Sequence, residues 1–152
     1  MNIVLYQPDI PQNTGSFIRL TACLGMRLHI IEPCGFVLDD RKLARVAMDY
    51  AGKADITRHT SFSAFLDFKQ AAGSGRVILL TTKAATCYTD CSYHADDFLL
   101  LGRESSGVPQ EVHDAVQLRV TIPMQEGVRS LNVVNAASMV AGEAMRQTKW
   151  KK

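Results

Sequence analysis

The residues best placed for ligand chemistry lie in a polar loop near the end of the chain, between Pro123 and Ser130. The β-branched segment before it, residues 118–122, predicts a strand that ends at Pro123, because proline cannot donate to a strand ladder. Gly127 permits a turn, and Ser130 is a good N-cap for a helix that runs towards Trp150. Free backbone N–H groups would therefore converge where a strand leads into a helix, which is where α/β domains bind ligands.

Two further loops place polar residues and glycines directly after apolar segments. The first is residues 11–15, with Arg19 farther along the following segment, and the second is residues 101–109, which contains Gly102 and Gly107. Taken singly, each loop is also explained by helix capping and turn formation, which use the same residue types. Their significance depends on whether the three loops act together.

The positions of the glycines argue against a conventional nucleotide site. A Rossmann fingerprint needs Gly-x-Gly-x-x-Gly directly after the first strand, but the first glycine there is Gly15. Gly73 and Gly75 precede a predicted strand instead of following one, so they are interpreted as turn residues. The sequence contains no Walker loop.

Alternating strands and helices must position these loops. Strands are predicted at residues 3–6, 28–31, 76–81, 98–101 and 118–122. Helices are predicted from a Thr14 cap to Leu24, over residues 41–47, from a Ser61 cap to residue 72, from Pro109 to residue 115, and from Ser130 onwards. The strongly apolar strands are typical of a parallel sheet that is covered on both faces. The pattern predicts a single α/β domain with a mostly parallel sheet flanked by helices.

Composition limits the class of protein. A chain of 152 residues with 47% hydrophobic and 21% charged residues is typical of one soluble globular domain. No apolar run approaches the ~18–20 residues of a membrane span, and the first residues lack the features of a signal peptide. We therefore expect a cytoplasmic protein without a membrane partner, whose four cysteines are reduced thiols. A net charge of +2 permits a local basic patch but does not indicate a nucleic-acid partner by itself.

The spacing of Cys87, Cys91 and His94 raises the possibility of a metal site. Structural zinc usually takes four ligands, commonly from paired Cys-x-x-Cys units, and the sequence offers no second pair. We therefore predict no metal. His29 and His113 are interpreted as ordinary surface or strand-edge residues and not as catalysts.

Taken together, the three loops resemble the three motifs of the SpoU branch of the SPOUT RNA methyltransferases. The resemblance rests on PQNTG at 11–15 with Arg19, on LGRESSGVP at 101–109, and on residues 121–137. Within that branch, residues 40–50 are similar to the small members that methylate the wobble nucleotide of tRNA. The chain departs from the usual pattern at Ser16, Arg103 and Val134, where the family usually has asparagine, proline and serine.

The resemblance implies a deep trefoil knot over residues 76–150 and a bent S-adenosylmethionine bound by the knot loops. The residues expected to bind this cofactor lie in those loops: Leu80, Thr81, Gly102, Glu104, Ile122, Met124, Ser130, Leu131 and Asn132. Family members are dimers through the last helix, which would give the small-residue face of Ala137, Ala141 and Ala144 a partner.

The implied reaction is methyl transfer to a ribose 2′-OH in the tRNA anticodon loop, at a wobble C or U, with leucine tRNAs as expected substrates. Asn13 and Arg19 are the expected catalytic residues: Arg19 either assists deprotonation with a substrate phosphate or orients the nucleophile and stabilises the developing alkoxide. Glu104 is expected to bind Arg19 or the cofactor amine. Methylation of another RNA, such as rRNA, and a non-catalytic RNA-binding module are the alternative functions.

RNA binding is expected from a basic helix. Arg41, Lys42 and Arg45 fall on one face of the predicted helix 41–47 and would contact phosphates of the anticodon stem. A solvated face balanced by nearby aspartates explains the same charges.

Overall fold

Strands and helices follow one another largely in the order that the apolar pattern predicts. The computed structural model describes residues 1–38, 50, 52–73 and 75–148. Its strands are β1 (Asn2–Tyr6), β2 (Arg27–Ile31), β3 (Asp55–His59), β4 (Val77–Leu80), β5 (Phe98–Leu101) and β6 (Leu118–Val120). Its helices are α1 (Pro11–Leu24), α2 (Phe62–Ala71), α3 (Gln110–Ala115) and α4 (Val133–Thr148).

The six strands form one parallel sheet in the order β3-β2-β1-β5-β4-β6. The predicted α/β class and parallel sheet are therefore confirmed. Because every strand runs in the same direction, the loops that follow β1, β4, β5 and β6 all leave the sheet at one edge. This common edge is where the candidate loops meet.

Hydrophobic cores lie on both faces of the sheet, since side chains alternate along each strand. Ile3 and Leu5 of β1 belong to one core, which α1 and α4 cover, whereas Val4 and Tyr6 belong to the other. The second core is covered by α2 and α3, through residues such as Phe65. Two layers of helix around strongly apolar strands explain why the sheet shows so little polar alternation.

The small residues of α4 are used within the chain. Ala137, Ala141 and Ala144 are 0%, 0% and 1% exposed and belong to the core that α4 shares with α1. The expectation that this face awaits a partner is therefore wrong. Small side chains let α4 lie close to the sheet and to α1.

Helix boundaries differ from the prediction where a cap was misassigned. Helix α1 begins at Pro11 and not after Thr14, because proline's fixed φ suits the first turn of a helix. Helix α4 begins at Val133, and Asn132 caps it in place of Ser130 by accepting hydrogen bonds from the backbone N–H groups of residues 134 and 135. The caps predicted at Ser61 and Gly25 are confirmed, the latter with φ 63°.

Strand β3 was not predicted, and His29 and His113, which were interpreted as surface or strand-edge residues, are buried. His29 and His59 are 1% and 5% exposed, and the Nδ1 of His29 lies 3.0 Å from the Nε2 of His59. Phe65, Phe68 and Phe98 pack around this histidine pair. His113 is also buried, at 9% exposure. Burial, together with the neighbouring His59, lowers the pKa of His29 to about 4, and burial also lowers the pKa of His59, so the pair is neutral at physiological pH.

Two sequence expectations, the helix at residues 41–47 and the knot, have no structural counterpart to compare. The predicted helix 41–47, with Arg41, Lys42 and Arg45, lies outside the described residues. The knot remains a prediction; the nearest observation is that Thr121 pairs with the segment around Cys87. Within the described ranges, no helix combines the length and hydropathy that crossing a membrane requires.

Candidate functional site

A cavity of about 580 Å³ opens at the carboxyl edge of the sheet, where the loops after β4, β5 and β6 meet the start of α4. All nine residues predicted to bind the cofactor line it: Leu80, Thr81, Gly102, Glu104, Ile122, Met124, Ser130, Leu131 and Asn132. Asn13, from the first turn of α1, lines the same cavity. The three loops that looked ordinary one by one therefore form a single concave site.

The walls of the cavity combine apolar side chains with backbone that is closely packed. Leu80, Ile122, Met124 and Leu131 provide apolar surface suited to a flat ring. The loop after β5 is closed by two backbone hydrogen bonds of 2.9 Å between Arg103 and Gly107. A Cβ atom on Gly102 would lie 2.6 Å from the carbonyl carbon of Gly107, so this loop geometry requires glycine at position 102.

Three side chains form a continuous hydrogen-bonded chain across the site. The Oδ1 of Asn132 caps α4, which leaves its Nδ2 to donate to the Oδ1 of Asn13 at 3.2 Å. The Nδ2 of Asn13 in turn donates to Glu104 Oε1 at 2.9 Å. Because the cap can be made only by an oxygen, the orientation of each amide in the chain is determined.

Asp9, in the loop after β1, holds Glu104 from the other side. The Asp9 backbone N–H donates to Glu104 Oε2 at 3.0 Å, and the Glu104 N–H donates to Asp9 Oδ1 at 3.2 Å. The hydroxyl of Ser105 donates to Asp9 Oδ2. Sequence reasoning missed Asp9; its place directly after the first strand was the signal that could have identified it.

Burial and charge make Glu104 a stronger base than an exposed glutamate. Burial raises the pKa of Glu104, and the neighbouring Asp9 carboxyl raises it further, whereas the hydrogen bond with Glu104 lowers the pKa of Asp9. Glu104 is thus bound to Asn13 and to the Asp9 backbone, and the expectation that it pairs with Arg19 is not what the structure shows.

Arg19 lies apart from the cavity. Its side chain is exposed on α1, and its guanidinium carbon lies 5.2 Å from the centre of the Tyr50 ring. Six residues of helix separate Arg19 from Asn13, which corresponds to a rise of ~9 Å and a rotation of ~240° about the axis. The structure therefore brings Asn13 to the cofactor loops of its own chain but does not bring Arg19 there.

Two cations that were not predicted as site residues also line the cavity, Lys83 and Arg103. Both lie within a few residues of the end of a strand, as do several of the site residues predicted from the sequence. Among the described residues, His94, Asp96 and Asp97 lie close enough together to share a metal ion. This group includes neither Cys87 nor Cys91, and Asp97 already forms a salt bridge with Arg76.

Known proteins resemble this chain over nearly its full length. Residues 1–142 match the SpoU rRNA Methylase family. A protein of Beijerinckia indica named tRNA (cytidine(34)-2′-O)-methyltransferase is 52% identical over 145 residues, which is 95% of this chain and 90% of that protein. The protein of the same name in Escherichia coli is 45% identical, and the match spans 97% of this chain and 93% of that one.

Solved structures show the same fold. One that concerns the 2-OH methylation of C/U34 on tRNA has a TM-score of 0.88 and 41% identity, over 96% of this chain and 94% of that chain. The SpoU methyltransferase AviRb from Streptomyces viridochromogenes, in complex with AdoMet, has a TM-score of 0.86 and 26% identity, over 97% of this chain and 60% of that chain.

Proposed function

Because the chain belongs to the SpoU rRNA methylase family, we propose that it transfers a methyl group from S-adenosylmethionine to the ribose 2′-OH of the wobble nucleotide, C or U34, in tRNA. The names of its relatives in Beijerinckia indica and Escherichia coli support this substrate. The observation that carries the proposal is the cavity, in which the predicted cofactor residues and Asn13 meet.

The cavity fits S-adenosylmethionine in size and chemistry. Its volume of about 580 Å³ is in the range of small-molecule sites, ~300–1,000 Å³. Leu80, Ile122, Met124 and Leu131 would flank the adenine ring, while backbone groups around Gly102 and Ser130 would bind its polar edge and the ribose. Bound there, S-adenosylmethionine supplies an activated methyl group on a sulfonium, which is released from sulfur as the bond to oxygen forms.

The protein has to align the ribose hydroxyl, whose proton passes to a base or to solvent as the methyl group is transferred. Asn13 is placed for alignment, since one N–H and one oxygen lone pair of its amide remain after its bonds to Glu104 and Asn132. The pKa of Glu104 is raised and that of Asp9 is lowered, so Glu104 is the stronger base of the two. We propose that Asn13 orients the hydroxyl and that Glu104 keeps Asn13 in place.

Arg19 could take part in the proposed reaction only if the RNA or a second copy of the chain brings it to the cavity. Its exposed guanidinium is on another side of α1 from Asn13, so it meets the reacting hydroxyl only through the RNA or through a second copy of the chain. Once there, a guanidinium would stabilise developing alkoxide charge more readily than it would accept a proton. The homodimer that the resemblance implies supplies such a second copy.

We place the proposed homodimer contact on the outer face of α4. The exposed residues of that helix are Asn135, Met139 and Arg146, since the alanine face is already buried in the core. The proposed threading of the chain into a trefoil knot concerns the same region, residues 76–150.

We propose a cytoplasmic location because the cysteines form no disulfide bonds. All four are free thiols, as is usual in a reducing compartment.

We propose that the basic segment binds the RNA. Replacing Arg41 and Arg45 together by alanine should weaken tRNA binding and flatten its salt dependence by about 0.7–0.9 in slope for each lost phosphate contact, with cofactor affinity unchanged. Unchanged tRNA affinity would assign these residues to a solvated face. Arg27→Ala, at the amino edge of the sheet, is the matched control.

The proposed activity is tested by methyl transfer. Purified protein with S-adenosylmethionine should methylate bulk tRNA from a strain that lacks the gene, and mass mapping should place the methyl group on nucleotide 34, in leucine tRNAs first. Methylation of rRNA alone would replace tRNA as the substrate. Binding of tRNA without methyl transfer, by protein that also binds S-adenosylhomocysteine, would identify a non-catalytic RNA-binding module.

A further inference from the structure

Arg103 is a half-buried cation for which the described part of the chain provides no acceptor. Arg76, the other half-buried arginine in the described ranges, donates to Asp97 Oδ2 at 2.6 Å and to Oδ1 at 3.0 Å. The Nε of Arg103 is enclosed and makes no hydrogen bond with any described residue. Enclosing a guanidinium N–H without an acceptor is costly, so such a group is normally matched by an anion.

The two carboxylates of the same site are committed elsewhere. Glu104 accepts from Asn13 and from the Asp9 backbone, and Asp9 accepts from the Glu104 backbone and the Ser105 hydroxyl. The backbone of Arg103 is also held in place, by its pair of hydrogen bonds with Gly107. The cation is therefore presented on a fixed loop whose own acidic residues are already occupied.

The charge of Arg103 acts on two residues at the β1–β2 side of the sheet, Tyr6 and Cys34. Burial raises the pKa of Tyr6 and Glu111 adds to that effect, whereas the Arg103 guanidinium lowers it. Burial likewise raises the pKa of Cys34 to about 11, and Arg103 is among the cations that oppose the change. Tyr6 ends β1 and Cys34 follows β2, and in the sheet order both strands lie on the far side of β5 from β4 and β6.

Arg103 thus lines the cavity at its border with the β1–β2 side of the carboxyl edge. The apolar residues suited to the adenine ring come from the loops after β4 and β6, on the opposite side. An anion that meets Arg103 would then lie at the border of the cavity, outside the proposed adenine pocket. An RNA backbone beside the methylated ribose carries an anion in that place.

We propose that Arg103 binds a backbone phosphate of the RNA next to the methylated nucleotide and so positions its ribose over the cavity. The proposal rests on the proposed function, since it takes RNA as the substrate. Since Nε is enclosed, the two terminal nitrogens of the guanidinium, which make no hydrogen bond with any described residue, would donate to the phosphate and fix its orientation as well as its position. Phosphate contacts of this kind position a nucleic acid without reading its sequence.

The test compares Arg103→Met and Arg103→Lys with Arg27→Met. Arg27 is an exposed arginine at the amino edge of the sheet, so its replacement removes the same charge far from the cavity. In fluorescence anisotropy with an anticodon stem-loop RNA, Arg103→Met should raise Kd by roughly ten-fold or more, and Arg103→Lys should raise it less. The slope of log K against log salt should fall by about 0.7–0.9 in Arg103→Met only. Affinity for S-adenosylhomocysteine and the midpoint of thermal unfolding should match the wild type.

A neutral methylphosphonate at one phosphate of the RNA identifies the partner. At the phosphate that Arg103 binds, Arg103→Met should lose no further affinity, whereas at every other phosphate the two losses should add. Additivity at all positions would overturn the proposal.

Four other results would also overturn it, each with its own meaning. If Arg103→Met binds RNA as tightly as the wild type does, and the wild type methylates tRNA, this inference is wrong and the proposed function stands. Lost affinity for S-adenosylhomocysteine would assign Arg103 to the carboxylate of the cofactor. A large fall in the unfolding midpoint would assign it to an internal ion pair. A wild type that neither binds nor methylates RNA would remove both proposals.

Discussion

Asn132 donates a hydrogen bond of 3.2 Å to Asn13, although the two residues are 119 positions apart in the chain. The same side chain caps α4, so a structural role and a role in the site share one amide. The cap fixes which end of Asn132 faces Asn13, and Asn13 must then turn its N–H group to Glu104. The helix terminus therefore sets the orientation of the residue proposed to hold the ribose hydroxyl.

Asn132→Asp should separate these two roles. Aspartate caps a helix as well as asparagine does, so thermal stability should stay close to that of the wild type. It cannot donate to Asn13, and turning the Asn13 amide around would bring its oxygen against Glu104. We expect kcat to fall roughly ten- to a hundred-fold, as measured by methyl transfer at saturating cofactor. A variant with normal kcat would show that the orientation of Asn13 has no role in the reaction.

Gly102→Ala should weaken cofactor binding through the shape of its loop. The new Cβ would lie 2.6 Å from the carbonyl carbon of Gly107, and only a shift of the loop backbone can relieve that contact. We expect a loss of about 1–3 kcal/mol in stability or affinity, measured by calorimetry with S-adenosylhomocysteine. Gly142→Ala in α4, where a Cβ meets no atom within 4 Å, is the control and should keep its affinity.

The buried histidine pair should make stability depend on pH. The pKa of His29 is about 4 in the folded chain, below its ordinary value of 6.5, because burial disfavours the charged ring. The unfolded chain therefore binds more protons, so this contribution is complete above pH ~6.5 and is lost as pH falls towards 4. For His29 alone, the free energy of unfolding should decrease by roughly 2 kcal/mol between pH 7 and pH 5.

Urea titrations at pH 7 and pH 5 measure this difference, and His29→Leu should reduce it. The residual pH dependence of that variant reports His59, whose pKa is also lowered by burial. An equal pH dependence in the wild type and in His29→Leu would mean that His29 titrates alike in both states.

Subunit mixing should show from which chain Arg19 acts. In the proposed homodimer, and at a cofactor concentration well below the weakened Kd of Gly102→Ala, Arg19→Ala and Gly102→Ala should each be inactive as pure proteins, the first without its guanidinium and the second with an empty cavity. If Arg19 serves the partner's cavity, a heterodimer has one intact site, and an equal mixture should recover roughly a quarter of wild-type activity. If Arg19 serves the cavity of its own chain, no mixed site is intact and activity should stay at the background level.

The sequence predicted most of the sheet because its strands carry their own signal. Strands β4 and β5 are apolar enough to be recognised without a partner, and both were placed within a residue or two. Strand β3 was missed because Asp55–His59 is a polar edge strand, whose structure depends on pairing with β2 and not on its composition. His29 was misplaced for the same reason, since its burial comes from His59 and the phenylalanines of α2.

The sequence predicted which residues form the candidate site but not the hydrogen bonds between them. Loop positions after strands, read with the family motifs, identified Asn13, Gly102, Glu104 and the residues around Ser130. The hydrogen bond from Asn132 to Asn13 and the bonds between Asp9 and Glu104 could not be predicted, because each joins segments far apart in the chain. Arg19 shows the limit of a motif: it belongs to the same sequence motif as Asn13, but it lies on a different side of the helix.

The position of Asn132 has a consequence for the energetics of the two ligands. Ser130 and Leu131, which precede it, line the cavity, so a molecule seated there restrains the same short segment that orients Asn13. In the proposed reaction, occupancy of the cavity would therefore raise the affinity for the ribose that Asn13 holds. Thermodynamic coupling is reciprocal, so bound RNA must raise the affinity for the cofactor by the same factor.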